Sequence, residues 1–324
     1  MNIDHGKREW TSEELDGLRE AIEDAGKKAN FSRAEIARRA EVAASTLSQF
    51  MSATYAGNNS ELASRLSKWL NAHNEAMEFR EIAPPEPSFV QTPNAMQVWG
   101  AFQHAQLLND TAVIVGPPGS GKTAAIEAYL ARQPRAKLIT GKPSISTASA
   151  VLGDFLNRYT GENGFAGRGL AAKSFIVRQH LTKGSLLIID EAQHVSVGAL
   201  EELRAIVDEQ KCGMALVGNA TVLRRLQGAS RDVAYAQLFG RVGNRVELKK
   251  ASAADVQAVL ATMNVDAPDV LKAATDILAK DDMRVVIKAV RKAILLAHGA
   301  NENLDARFLK AAYRQLSGEG LKAA

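Results

Sequence analysis

A single cysteine, Cys212, is all that 324 residues supply, so no disulfide or thiolate-rich metal centre can form within the chain. Cys212 lies just before the apolar run 214–217, where a small buried filler is its expected role. Nowhere do about eighteen apolar residues follow one another, so no membrane span and no membrane partner are expected. Residues 1–10 are polar and lead into no apolar stretch of signal-peptide length, which points to a cytoplasmic protein. A strong charge of one sign is missing as well. The formal net charge of +4 permits nucleic acid as a partner without requiring it. Prolines number nine, yet three fall between 84 and 87. Such a cluster cannot continue a helix and biases its neighbours toward extended backbone, so it reads as an interdomain linker.

The remainder is an ordinary globular composition, 46% hydrophobic and 23% charged, with enough apolar material for two or three domains. Its centre is the string Gly116-Pro117-Pro118-Gly119-Ser120-Gly121-Lys122-Thr123, which follows the apolar run 112–115 and opens the helix-compatible segment 124–130. That is a phosphate-binding loop in its required context. Glycines let successive N–H groups curl round a polyphosphate, and the helix N-terminus adds partial positive charge. Lys122 would neutralise the β- and γ-phosphates and Thr123 would ligate Mg²⁺, so ATP with Mg²⁺ is the expected cofactor pair.

A second string, 185–191, is a continuous apolar strand ending in adjacent carboxylates, Asp190 and Glu191. Asp190 is expected to hold the Mg²⁺ shell through water, and Glu191 to orient and deprotonate the attacking water. The histidine of Asp190-Glu191-Ala192-Gln193-His194 arrives one position late for a helicase signature. A further apolar strand, 214–218, delivers Asn219, either to the γ-phosphate or the attacking water or simply as a turn residue. Between 251 and 324 the apolar spacing is helical throughout.

The N-terminal stretch has a different character. Apolar positions Leu15, Leu18, Ile22 and Ala25 predict one helix, and Leu62, Leu66, Trp69 and Leu70 predict another ending near 71–74. Between them, 32–40, a short break at 41–44 and 45–51 read as a helix-turn-helix, with Ala37 at the crossing and Ile36, Ala40, Val42, Leu47 and Phe50 sealing the pair. Ser45, Thr46, Ser48 and Gln49 would face a major groove while Arg33, Arg38 and Arg39 hold the backbone. Glu41 stands where such turns usually carry glycine, in a place that calls for left-handed backbone. A helical protein-protein module is the alternative reading.

The loop at 116–123, the acidic strand at 185–191 and strand-end Asn219, in that order and spacing, resemble the AAA+ ATPases. That resemblance implies an α/β fold: a P-loop NTPase core on a parallel sheet, with an α-helical lid behind it. It also implies that Asn219 occupies the sensor-1 position, that Arg241 is an arginine finger reaching a neighbouring subunit, with Arg245 as runner-up, and that Arg284 is the sensor-2 arginine. The expected division is a helix-turn-helix domain at 1–80, a linker at 81–90, the ATPase core at 91–250 and the lid at 251–324.

The domain order, with the strings 55–59, 65–70, 195–204 and 236–241, is similar more narrowly to the phage Mu transposition protein B family. This implies ATP-dependent, largely sequence-nonspecific binding of double-stranded DNA, assembly into a helical homo-oligomer on it, delivery of that target to a transposase and stimulation of strand transfer. Basic residues Lys142, Arg158, Arg168, Lys173, Arg178 and Lys183 are candidates for a DNA-facing surface, or else sit on solvated helix faces. Two alternatives remain at this point: another AAA+ remodelling factor of the helicase-loader type, and a helix-turn-helix regulator that senses ATP.

Overall fold

A computed structural model describes residues 9–161, 165, 167–228 and 242–318. The chain divides into two compact units, with the boundary between Ala83 and Pro84.

Among the described residues the first unit has four helices, α1 (Ser12–Ala29), α2 (Arg33–Arg39), α3 (Ala44–Met51) and α4 (Asn59–Ile82). Thr11 and Glu14 close a reciprocal capping box at the start of α1. Leu18, Ile22, Ile36, Ala37, Leu47, Phe50, Leu62 and Leu66 form one buried cluster, so the helix pair α2–α3 is sealed by the residues its spacing predicts. Glu41 takes φ 55° in the turn, and the Arg65 guanidinium donates to its carbonyl oxygen from α4. That bond helps hold a non-glycine residue in left-handed backbone.

Helix α4 departs from its expected end. It runs through Asn71-Ala72-His73-Asn74 to Ile82 because polar residues there lower helix propensity by only a few tenths of a kcal/mol each. The stop is Pro84, which forces Ala83 into extended backbone (φ −60°, ψ 124°). Trp69 is half-buried and stacks on His73, rings 5.4 Å apart.

The second unit carries a five-stranded sheet in the order β2-β3-β4-β1-β5. Its strands are β1 (Thr111–Val115), β2 (Ala136–Thr140), β3 (Leu186–Asp190), β4 (Gly213–Gly218) and β5 (Val242–Glu247). Every pairing is parallel, so both faces must be covered by crossover helices. Successive side chains divide between the faces. Val113, Val115, Leu187, Ile189, Met214 and Leu216 pack with α7 (Ala148–Thr160), α8 (Leu170–His180) and α9 (Val197–Gln210). Ala112, Ile114, Leu186, Ile188, Ala215 and Val217 pack with α5 (Pro93–Leu108) and α6 (Lys122–Arg132). Cys212 is a buried member of the first of these clusters.

A short helix, α10 (Ala220–Gly228), follows β4, and four more, α11 (Ala253–Ala261), α12 (Pro268–Lys280), α13 (Met283–Ala300) and α14 (Ala306–Ser317), share a third apolar cluster. Asp282 caps α13 by accepting from the N–H groups of Arg284 and Val285. The proline-rich stretch is extended, and from Pro84 it lies along this second unit. Arg291 on α13 donates to the Pro84 carbonyl (3.4 Å) and pairs with Glu86 (3.3 Å). The Ser88 N–H donates to Thr262 Oγ1 (3.1 Å), and Phe89 stacks on Trp99.

Candidate functional site

The five strands end on one edge of the sheet, and that edge gathers the chemistry. Strand β1 is fully buried and delivers the chain into the phosphate-binding loop. Gly116 is pinned there: its N–H donates to Gly218 O (3.2 Å), and a Cβ on it would stand 2.8 Å from Leu248 Cβ. Gly119 has φ 69° and Gly121 φ 87°, and a Cβ at 119 would meet the backbone nitrogen of Met283 at 2.8 Å. Only glycine combines that backbone with that approach. The loop is braced from behind by buried Asn94 on α5, whose Nδ2 donates to Ser120 O (3.2 Å) and Lys249 O (2.9 Å).

Lys122 opens α6. Its Nζ donates to the carbonyls of Gly116 and Pro117 (2.9 Å each) and to Ser120 Oγ (3.2 Å), so the ammonium sits inside the curl of the loop. Partial burial lowers its pKa and the Arg284 guanidinium acts in the same direction, while Glu191 and Asp190 oppose them. Thr123 follows, its Oγ1 donating to Asp190 Oδ2 at 3.4 Å. Asp190 is nearly enclosed at the end of β3, 5% exposed. Burial is the largest cause of its raised pKa and the Glu191 carboxylate adds to it, while the Glu191 N–H, the Thr123 hydroxyl and Lys122 oppose it. A desolvated carboxylate beside a hydroxyl is a donor set suited to a hard divalent cation, which would relieve that desolvation.

Glu191 adopts left-handed backbone (φ 51°, ψ 40°) and turns the chain into a single 3₁₀ turn, Ala192–His194. Gly141, just past β2, makes the turn possible: its N–H donates to Asp190 O (2.8 Å), and a Cβ there would lie 2.6 Å from Glu191 O. Gly119, Ser120, Lys122, Glu191, Arg284 and Ile287 are among the lining of one cavity of about 370 Å³. The loop, the acidic strand and the first turn of α13 therefore meet in one place.

Asn219 is exposed at the end of β4, between the ends of β1 and β3, and its Oδ1 accepts from the Thr221 N–H (2.8 Å). Its side chain thus accepts from the first turn of α10. Arg241 lies outside the described residues. Arg245 is exposed in mid-strand on β5, in register with Val113.

The residues proposed to contact DNA belong to both units. Ser45, Ser48 and Gln49 are exposed on α3 with Thr46 partly so, and Arg33 is exposed at the start of α2. Arg38 and Arg39 both pair with Glu35. Lys142 is exposed after β2, and the Arg168 guanidinium lies 5.0 Å over the Phe165 ring. Arg178 pairs with Glu209 (2.7 Å) and donates to Ser174 Oγ (2.7 Å). Lys173 requires a correction. It is 3% exposed, and its ammonium donates to Ser149 O (3.0 Å) and Ser149 Oγ (2.9 Å), so it cannot meet a phosphate. The signal for this was its spacing with Val177 and Leu181, which makes its aliphatic stem part of the buried face of α8.

Two residues of the site carried no expected role, Asn94 and Gln193. Asn94 left no sequence signal beyond its place after Pro93, and Gln193 lay inside the acidic string with no role attached to it.

Residues 109–226 match the AAA domain family model, and residues 240–316 match the model of the Mu B transposition protein, C terminal. The chain is 30% identical over 283 residues to the ATP-dependent target DNA activator B of Escherichia phage Mu, covering 87% of this chain and 89% of the relative. The same identity and coverage relate it to the protein of that name from Escherichia phage D108. It is 33% identical over 230 residues to the Mu-like prophage FluMu DNA transposition protein B of Haemophilus influenzae, covering 71% and 79% of the two chains. Among solved structures, the Aeropyrum pernix ORC2 protein superposes with a TM-score of 0.56 at 17% identity, over 71% of this chain and 69% of that one, a likeness of fold.

Proposed function

Since the chain belongs to the Mu transposition protein B family and carries an AAA domain, we propose that it is an ATPase that binds double-stranded DNA when loaded with ATP. On that DNA it assembles as a helical homo-oligomer, presents the duplex to a transposase as target and stimulates strand transfer. The observation that supports this best is the single cavity shared by Gly119, Lys122, Glu191 and Arg284, which makes the lid and the phosphate loop two walls of one site.

In this reading the loop N–H groups and Lys122 bind the polyphosphate of ATP, Lys122 exchanging its loop carbonyls for phosphate oxygens. Thr123, and Asp190 through water, would hold Mg²⁺, which would neutralise charge on the polyphosphate. Glu191 accepts a proton from the attacking water, and Asn219 orients that water or the γ-phosphate. Arg284 reaches the nucleotide from the lid, so bound ATP links the lid to the core. Arg241 completes a neighbouring subunit's site, which makes hydrolysis depend on assembly. Hydrolysis then releases the DNA.

The deciding experiment measures binding to unrelated duplexes with ATP, with ADP and without nucleotide, watched by negative-stain microscopy. Filaments on every sequence with ATP alone are the expected result. Nucleotide-independent binding to one discrete site overturns the proposal and favours a regulator acting through residues 32–51. ATP-dependent DNA binding with no stimulation of a cognate transposase leaves a helicase-loader type of factor.

A further inference from the structure

We propose that Gln193 is a positioning residue for hydrolysis, a single side chain that ties the carboxylate of Glu191 to the end of strand β4. The inference rests on the assignment of Glu191 as the base.

Residues two apart on a regular helix point to different faces and do not meet. Here they do, because Glu191 in left-handed backbone folds the chain into the 3₁₀ turn and brings residue 193 back beside residue 191. Gln193 Nε2 donates to Glu191 Oε2, and Gln193 Oε1 accepts from the Asn219 N–H at 3.4 Å. Chemistry sets the direction of the amide. An ionised carboxylate only accepts and a backbone N–H only donates, so the nitrogen must face Glu191 and the oxygen Asn219. Gly218 leaves room for it, since a Cβ there would stand 2.3 Å from Gln193 Oε1.

Three consequences follow from this bridge. Glutamate has three side-chain torsions, and a donor on one carboxylate oxygen restricts them before any water arrives, leaving the other oxygen to take the proton. The bridge also ends at the backbone of Asn219, the residue proposed to face the γ-phosphate. Finally, Gly218 O accepts from the Gly116 N–H (3.2 Å), so the end of β4 is joined to the phosphate loop on its other side. A shift of that strand end therefore moves the base through Gln193. The side chain couples what the phosphate loop holds to where Glu191 points.

The test uses the full chain with ATP and plasmid DNA. Gln193→Met has the same length without the hydrogen bonds. It should lower kcat about 10- to 100-fold, as losses of such supporting contacts do, with KM, ATP affinity and melting temperature close to wild type. In a Glu191→Gln background the same change should add less than about twofold, because both act through one carboxylate. Gln193→Leu also removes both hydrogen bonds, should show the same loss, and decides the matter if Gln193→Met does not fold. The proposal fails if kcat stays at the wild-type level in either variant, if ATP affinity falls in step with kcat, or if the losses multiply in the double variant. Equal turnover by wild type and Glu191→Gln is a separate failure, of the base assignment itself, and is seen before any Gln193 variant is measured.

Discussion

The nucleotide site and the helix-turn-helix module were each read from a short string, but those strings constrain different things. In the loop, Gly119 must accept φ 69° with the Met283 backbone 2.8 Å from where its Cβ would be, so close packing sets a geometric demand on residue type. In the helix pair, the constrained residues Ile36, Ala37, Leu47 and Phe50 are all buried. Ser45, Ser48 and Gln49 are merely exposed, and exposure tolerates almost any polar residue. A loop whose backbone is crowded and left-handed writes itself into sequence, whereas a face of exposed side chains hardly does.

The largest effect expected on the nucleotide side of this contrast is that of Lys122→Ala. Removing charge-assisted hydrogen bonds to phosphate should weaken ATP binding by roughly 100-fold and abolish ATP-dependent DNA binding. Titration calorimetry and a mobility-shift assay check both, and unchanged DNA affinity would break the proposed coupling. Ser45→Ala with Gln49→Ala should leave ATP affinity untouched in the same assays.

Glu191→Gln comes next. Turnover should fall about 10²- to 10³-fold while ATP stays bound and the DNA assembly persists. Phosphate release measured beside filament lifetime checks it, and rapid turnover would remove Glu191 from its catalytic role.

Smaller effects sharpen the DNA side. Lys142→Ala should reduce the slope of log affinity against log salt by about one, whereas Lys173→Met should leave that slope unchanged. A flat response to Lys142→Ala would take that residue off the interface. The smallest effect belongs to Glu41→Gly, which relieves left-handed strain and should stabilise the first unit by about 0.5 kcal/mol with no change in DNA affinity. Denaturant titration of the full chain, followed at helix wavelengths, reads it; destabilisation would mean that the Glu41 side chain has a role of its own.

How much was legible depended on the element. Strands β1, β3 and β4 are buried on both faces and appear in sequence as unbroken apolar runs, so their positions were readable to within a residue or two. Strand β5 was not read, because it lies at the sheet edge with alternate residues exposed and no apolar run. Helix α8 is hard to read for a related reason: a lysine and a serine, Lys173 and Ser174, stand on its buried face, and contacts with Ser149, Glu202 and Arg178 make them acceptable there. The end of α4 lies beyond its polar residues 71–74 because polar side chains do not stop a helix, whereas Pro84 does.

By itself, sequence determined the loop, its lysine and threonine, the acidic strand end and the helical character of both flanks. Each follows from local rules, the freedom of glycine, the period of a buried strand and the spacing of a helix, that act within a few residues. Tertiary structure alone decided that Arg284 faces the phosphate loop, that Asn94 braces it, that Lys173 is sealed inside and that Gln193 reaches Asn219. Those four placements depend on which elements pack side by side. The hydrogen-bonded partners among them stand 24 to 155 residues apart in the chain, a separation across which no local periodicity carries information.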